Sequence, residues 1–271
     1  MTARLAALTF DFDGMSGFIA RGRTSPTMLS RGEFGAVGVE RILRLLDRYG
    51  IAASFFIPGI TIGTWPNHCR RIHEAGHEIG HHGWRHIPPA QLSREEEADE
   101  LDRGIAAIEA LTGRWPRGYR SPAWDLSENT VDLLLERGFV YDSSMMGHDT
   151  RPYRVRRGDV IHEDEASAFG EETALLELPV SWSADDWPHF EFMPPGMPGL
   201  RGTSAVLENW LDDFRYMVRH EEGGLMTYTF HPLVIGRGHR MLFLERLIQG
   251  LRQLGAEFMR LDDAARRFTA S

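Results

Sequence analysis

Leu5-Ala6-Ala7-Leu8-Thr9-Phe10-Asp11-Phe12-Asp13-Gly14 places two carboxylates at the end of a short apolar run. A run of this length, bounded by a glycine turn, reads as a strand over Leu5–Phe10. Residues two apart in a strand share a face, so Asp11 and Asp13 look into one site, roughly 6.6 Å apart along the chain. A solvated strand-end turn explains Asp-x-Asp-Gly equally well, so the rest of the chain has to decide.

Working outward, the same kind of run recurs at Ile51–Ile57, Glu78–Gly80, Gly118–Ser121, Phe139–Ser143, Leu175–Val180, Leu225–Phe230 and Ala256–Leu261. Helical patterns lie between them, at Val39–Tyr49, Pro66–Ala75, Arg94–Leu111, Glu128–Arg137, Ser204–His220 and Met241–Leu254. Ser93 with Glu96 forms a capping box at the head of the third. Gly50, Gly76, Gly113, Gly138 and Gly255 each follow a helical run, where a left-handed residue is expected. Strand–helix alternation predicts an α/β protein with a mostly parallel sheet, and seven or eight units favour a closed barrel over an open doubly wound sheet. Two stretches, 15–36 and 145–173, are expected as long loops after strands, and residues 1–271 as a single catalytic domain.

The chain has a formal net charge of −9 from 39 acidic and 30 basic residues, which argues against a nucleic-acid or anionic-membrane partner. Cys69 is its one cysteine, so an intrachain disulfide and a thiolate metal cluster are excluded, and a buried structural thiol is expected. No stretch reaches the ~20 apolar residues of a membrane span, and the first residues show no export segment. The expectation is a cytoplasmic protein.

The segment Gly76-His77-Glu78-Ile79-Gly80-His81-His82-Gly83-Trp84-Arg85-His86 carries more chemistry than a lone histidine would. His82 and His86, four apart on a helical turn or tight loop, can aim both imidazoles at one point. Two neutral imidazoles and a carboxylate are a facial ligand set that leaves positions open for water and substrate. His77 and His81 are expected on the opposite strand face or in the core. Arg120-Ser121-Pro122-Ala123-Trp124, Ser183-Ala184-Asp185-Asp186-Trp187 and Thr227-Tyr228-Thr229-Phe230-His231 are each weak signals. Their common placement after predicted strands is what barrel enzymes use for catalytic groups.

In that order these segments resemble the polysaccharide deacetylases, the carbohydrate esterase family with the nodulation-deacetylase homology domain. Thr9–Gly14 is similar to its Thr-Phe-Asp-Asp-Gly motif and His82–His86 to His-[Ser/Thr]-x-x-His. Arg120–Trp124 is similar to Arg-x-Pro-[Phe/Tyr/Trp], Asp186-Trp187 to Asp-Trp, and Tyr228–His231 to Leu-x-x-His. The resemblance implies a distorted (β/α)7 barrel and one divalent ion on Asp13, His82 and His86, zinc first, with cobalt, manganese, nickel or iron as alternatives. It further implies Asp11 as base held by Arg120, His231 as acid oriented by Asp186, and the backbone near Ala123 as an oxyanion donor. Phe12 splits the family's acidic pair and Tyr228 replaces its leucine. The split motif, Ser30–Gly35 and Tyr141–Met146 resemble the branch that holds allantoinases, cyclic imide hydrolases and cytoplasmic peptidoglycan-deacetylase-like proteins.

A metal-dependent hydrolase of non-peptide carbon–nitrogen bonds is therefore expected. The missing export segment favours a small cyclic imide or amide, with an N-acetylglucosamine-containing polysaccharide or peptidoglycan as the alternative. A non-haem iron oxygenase is the rival class, since two histidines and a carboxylate also suit iron(II). Trp84, Pro122, Ala123, Trp124 and Trp187 are the expected substrate contacts. The resembling branch implies a homo-oligomer, a tetramer before a dimer, with Trp65, Phe169 and Phe192 as candidate apolar contact surface.

Overall fold

Seven parallel strands curl into a ring in the order β7-β5-β4-β3-β2-β1-β8. They are β1 (Leu5–Asp11), β2 (Ser54–Ile57), β3 (Glu78–His81), β4 (Gly118–Tyr119), β5 (Tyr141–Asp142), β7 (Glu171–Glu177) and β8 (Leu225–Phe230). An antiparallel strand, β6 (Tyr153–Arg157), extends the sheet beyond β7, and β9 (Glu257–Phe258) pairs with the start of β1. The computed structural model describes residues 4–193, 196 and 199–270. Among the described residues no ladder joins β7 to β8. A single parallel bridge, Asp185 to Thr229, links the segment after β7 to β8. The ring is thus a distorted (β/α)7 barrel with a seam, rather than one closed by continuous hydrogen bonding.

β1 is the central stave, paired over Leu5–Phe10 with β8 and over Thr9–Asp11 with β2. All seven of its residues are buried, which suits a parallel strand covered on both faces. Its even residues face outward: Phe10 stacks between Phe55 and Phe230, at 4.8 and 5.3 Å between ring centroids, under the helices. Its odd residues climb the barrel interior from apolar to polar: Leu5, Ala7, Thr9, Asp11. β8 climbs in step as Leu225, Thr227, Thr229 and then His231. The floor, with Leu5, Ala7, Phe56, Tyr141, Leu178 and Leu225, is closed below by Leu261 and Ala264 of α11 (Leu261–Thr269). On β3 the inward positions are Glu78 and Gly80, followed by His82. A Cβ at Gly80 would stand 2.6 Å from the Phe56 ring, so glycine there makes room for the floor.

The outer layer holds α1 (Ser16–Ala20), α2 (Pro26–Tyr49), α3 (Gly59–Thr64), α4 (Pro66–Glu74) and α5 (Arg94–Thr112). It continues with α6 (Thr130–Glu136), α7 (Asp186–Phe190), α8 (Thr203–His220), α9 (Pro232–Ile235) and α10 (Gly238–Gln253). The Ser93–Glu96 capping box is present, and all five expected post-helix glycines have positive φ. The expected 15–36 loop is instead mostly helix, α1 and the front half of α2. Ser25 caps α2 by accepting from the Met28 N–H at 3.4 Å, with Pro26 at its first position. The expected 145–173 loop contains β6 and its turn into β7. Trp65 is partly buried, its ring packing on Phe12 at 5.8 Å, whereas Phe169 and Phe192 are exposed. Cys69 is buried, which pushes its thiol up to about 12. Among the described residues no helix is long and apolar enough to cross a membrane.

Glu78 sits in the floor, accepting from Ser54 Oγ (2.5 Å), Tyr141 Oη (2.7 Å) and the Asp262 N–H (3.1 Å). Burial first, then the nearby Asp262 charge, lifts it to about 7. The fold therefore favours protonated Glu78. Its contribution is whole below the ordinary value of 4.5 and is lost as pH rises to about 7. Glu78→Gln can offer its amide to the Tyr141 hydroxyl and cannot ionise. In urea unfolding the variant should match the wild type near pH 5 and exceed it by roughly 2 kcal/mol at pH 7.5. An equal difference at both pH values would show that Glu78 is ionised throughout.

Candidate active site and metal centre

At the upper mouth of the barrel, where strands end, side chains from β1, β3, β4, the seam and β8 converge. Asp11 ends β1 and Asp13 follows it; the Asp13 carbonyl is fixed by Ser16 Oγ at 2.7 Å and Thr61 Oγ1 at 2.8 Å. His82 follows β3, and His86 lies four residues on in a loop rather than a helix. His86 has φ 62°, a left-handed conformation that is uncommon outside glycine, asparagine and aspartate and needs support. Glu100 of α5 supplies it, accepting the N–H groups of Trp84 (2.9 Å) and Arg85 (2.7 Å) and the Arg85 side chain. His77 and His81 point outward as expected: His77 Nδ1 accepts from the Ala53 N–H, and His81 Nε2 meets the Leu101 carbonyl at 3.0 Å.

Asp13, His82 and His86 are buried, and one ligand atom from each lies within 4.8 Å of the other two. His82 Nε2 is 3.4 Å from Asp13 Oδ1, and His86 Nε2 is 3.3 Å from Asp13 Oδ2. Asp13 Oδ1 is fully buried and has no hydrogen-bond donor. An orphaned carboxylate oxygen facing two imidazoles fits a divalent cation. His82 Nδ1 meets the Arg120 carbonyl at 2.7 Å, so its proton resides there and Nε2 is left as a lone pair. Burial opposes charge on Asp13, yet His86 and His82 hold its carboxyl well below the usual range. Burial likewise opposes charge on His82, and Asp13 with Asp11 draws it upward. Both shifts express one pull, by two carboxylates, for positive charge at this point.

Asp11 is anchored apart from that trio. Arg120, fully buried, donates through Nη1 to Asp11 Oδ1 and to Thr9 Oγ1, both at 2.8 Å. Its Nε and Nη2 go to the carbonyl and hydroxyl of Ser143, at 2.9 and 3.0 Å. Asp11 Oδ2 is left 3.9 Å from His82 Nε2, facing the site. Across the site, His231 Nδ1 lies 2.8 Å from Asp186 Oδ1, and Asp186 also accepts the His231 backbone N–H. Asp185 adds a second carboxylate 3.5 Å from the same nitrogen. Burial would strip the His231 proton; Asp185 and Asp186 overcome it and raise the imidazole to about 10.

These groups face a cavity of about 150 Å³. Its walls include Trp187, Ala123 in a left-handed turn (φ 57°), and Trp124 stacked on Trp182 at 4.3 Å. Arg120 and Asp186 stand behind the cavity, holding Asp11 and His231. Two expected contacts fall outside it. Trp84 turns away to pack over Gly59 and under Arg103, whose guanidinium is 4.5 Å from its ring, because the loop needed to present His86 faces the indole outward. Pro122 packs against Gly83 behind the wall. Sequence reasoning missed Trp182, Arg21 and the role of Asp185, all of which line the cavity. The doubled Asp185-Asp186 was the visible signal; nothing in the residues around Arg21 or Trp182 pointed inward.

Two outcomes test the metal centre. Elemental analysis of His82→Ala should show metal strongly reduced, and full occupancy would remove the ligand assignment. Glu100→Ala, which alters none of Asp13, His82 and His86, should weaken metal affinity by roughly the 10–100-fold of a lost supporting bond. Unchanged affinity would show that the loop holds its shape unaided.

The family profile described as "Polysaccharide deacetylase" matches residues 1–141. The "Peptidoglycan deacetylase" of Helicobacter pylori is 35% identical over 260 residues, covering 90% of this chain and 89% of its own. The "Peptidoglycan deacetylase-like protein FGM2" of Gibberella zeae is 32% identical over 287 residues, covering 96% and 85%. A structure assigned to the polysaccharide deacetylases, from Mycobacterium smegmatis, superposes with a TM-score of 0.84 at 33% identity, covering 98% of this chain and 90% of that one. An allantoinase structure, Puue, shares the fold with a TM-score of 0.81 at 23% identity, covering 99% and 91%. The chain belongs to the polysaccharide deacetylase family of carbon–nitrogen bond hydrolases.

Proposed function

We propose that this chain hydrolyses the acetamido bond of an N-acetylated amino sugar, one sugar unit at a time entering the cavity. The observation that carries it is the opposition, across one small cavity, of Asp11 and His231 with Asp13, His82 and His86 beside them. Support for the sugar comes from the names of the relatives at 35% and 32% identity. The cavity of about 150 Å³ admits an acyl group and part of one ring, and the Trp124–Trp182 stack offers a flat wall to it.

Asp13, His82 and His86 would hold a divalent ion, for which zinc suits the His₂–carboxylate donor set. When bound, such an ion lowers the pKa of a water and polarises a carbonyl. Asp11 takes the proton at Oδ2, since Arg120 occupies Oδ1 and leaves Oδ2 facing the site. The Ala123 N–H is the donor assigned to the developing oxyanion. His231, its Nδ1 held by Asp186, gives the proton on Nε2 to the departing nitrogen. A facing base and acid suit amide hydrolysis and have no task in an oxygenase.

A second reading is a small cyclic imide or amide, favoured by the size of the cavity and its indole walls. The deciding experiment assays metal-loaded protein on N-acetylglucosamine oligomers, muropeptides and cyclic imides while following oxygen. Acetate release from the sugars is expected; turnover of imides alone would transfer the assignment to the second reading, and oxygen uptake would end both. Asp11→Asn should retain metal and lose activity by roughly 10²–10⁴-fold. Survival within a few-fold would move the base elsewhere. His231→Ala should harm amide turnover more than turnover of an activated ester, whose leaving group needs no proton. Equal losses would refute the leaving-group role.

A further inference from the structure

The opposite mouth of the barrel, where the strands begin, holds a cavity of about 760 Å³, several times the volume of the active-site cavity. It lies at the starts of β3, β4 and β5 and against α11, about four strand residues, or roughly 13 Å, below His82. Its volume falls within the ~300–1,000 Å³ typical of small-ligand sites.

The charge there runs against that of the whole chain. Arg114, Arg117, Arg260 and Arg266 line it with His73, against the carboxyls of Glu78 and Asp262. Those acids are committed: Glu78 to Ser54, Tyr141 and the Asp262 N–H, and Asp262 to Arg260 and Arg266. Asp263, beside them, is taken by the same two arginines. Arg114 and Arg117 remain. Among the described residues neither guanidinium makes an ion pair or a hydrogen bond; Arg114 bonds to Thr112 Oγ1 through its backbone alone. Both project from a turn that is fixed by its neighbours. Gly113 ends α5 with φ 69°, Pro116 is buried, and the Trp115 indole N–H donates to the Arg137 carbonyl at 3.0 Å. That bond pins the Trp115 ring between the two arginines in sequence while leaving it half-exposed. The local field is felt by His77, which burial and then the Arg260 charge push down to about 4.

We propose that this cavity is a second binding site, for a small organic phosphate carrying a flat ring, of the nucleotide class. Two uncommitted guanidiniums match phosphate oxygens with bidentate geometry. The pinned indole offers a stacking face that needs no ordering on binding. A cation is disfavoured by four arginines, and a neutral sugar would leave both guanidiniums unused.

The test is calorimetric titration of the metal-loaded full chain with ADP, inorganic pyrophosphate and adenosine. ADP should bind with sub-millimolar affinity, pyrophosphate more weakly and adenosine undetectably. Arg114→Glu with Arg117→Glu should weaken ADP by roughly tenfold or more. The milder Arg114→Gln should move it in the same direction, which guards against a misfolded double variant. Trp115→Leu should weaken ADP and leave pyrophosphate unchanged. Absence of ADP binding to the wild type would overturn the site. So would binding that ignores both arginine variants, since the phosphate would then reside at the active-site cation. ADP binding untouched by Trp115→Leu would overturn the stacking face and with it the ligand class.

Discussion

One buried guanidinium ties the barrel interior together. Arg120 reaches Thr9 and Asp11 on β1 and the carbonyl and hydroxyl of Ser143 after β5. Its own N–H goes to the His81 carbonyl and its own carbonyl to His82, so β3 is held as well. The Phe56 ring of β2 lies 4.2 Å beneath it. A buried charge survives only when its donors are used and its countercharge is close. Here meeting that demand aligns strands far apart in sequence, and the same bonds orient Asp11 and fix the tautomer of His82.

The interior is graded accordingly. An apolar floor excludes water from below, a layer of Thr9, Thr229 and Ser143 hydroxyls accepts Arg120 or supports it, and ionisable groups lie above. Asp142 and Glu177, fully buried near that middle layer, are both pushed upward by burial, although Arg120 draws Asp142 down. Backbone N–H groups of Ser144 and Met145 meet Glu177 at 3.0 Å, which lets carboxyls persist at this depth. Of these carboxyls it is Asp11 whose second oxygen is turned toward the site.

Much of this was readable in the chain. Alternation and capping residues mark every ring strand, and β8 falls on its predicted span because a six-residue ladder fixes it. β4 and β5 are only two residues each, since Gly118 must yield to the Tyr141 ring and Arg120 leaves the ladder to enter the interior. The helix over Pro26–Ala36 was missed because Gly32, Gly35 and Gly38 weaken helix propensity. Their spacing is in fact a packing face. A Cβ at Gly32 would stand 2.5 Å from the Gly14 carbonyl, and one at Gly35 would press on Phe12. The candidate metal donors were legible because Asp13 and His82 follow strand ends and His86 stands four residues after His82. Which indole faces the cavity was not, since the turn of a loop decides it: Trp84 turns out and Trp182 turns in.

The seam between β7 and β8 has a consequence for how this protein can change over generations. The ring is completed there by one backbone bridge, Asp185 to Thr229, and by the two N–H groups of His231 that Asp186 receives. The residues that finish the architecture are thus the ones that hold His231, the proposed acid. At most enzyme positions a lineage can trade turnover against durability through separate substitutions. At this junction the two are a single trait, so drift that loosens one surrenders the other. Variation in what the enzyme accepts has to accumulate elsewhere on the rim, at positions such as Arg21 and Trp182 that line the cavity without closing the ring.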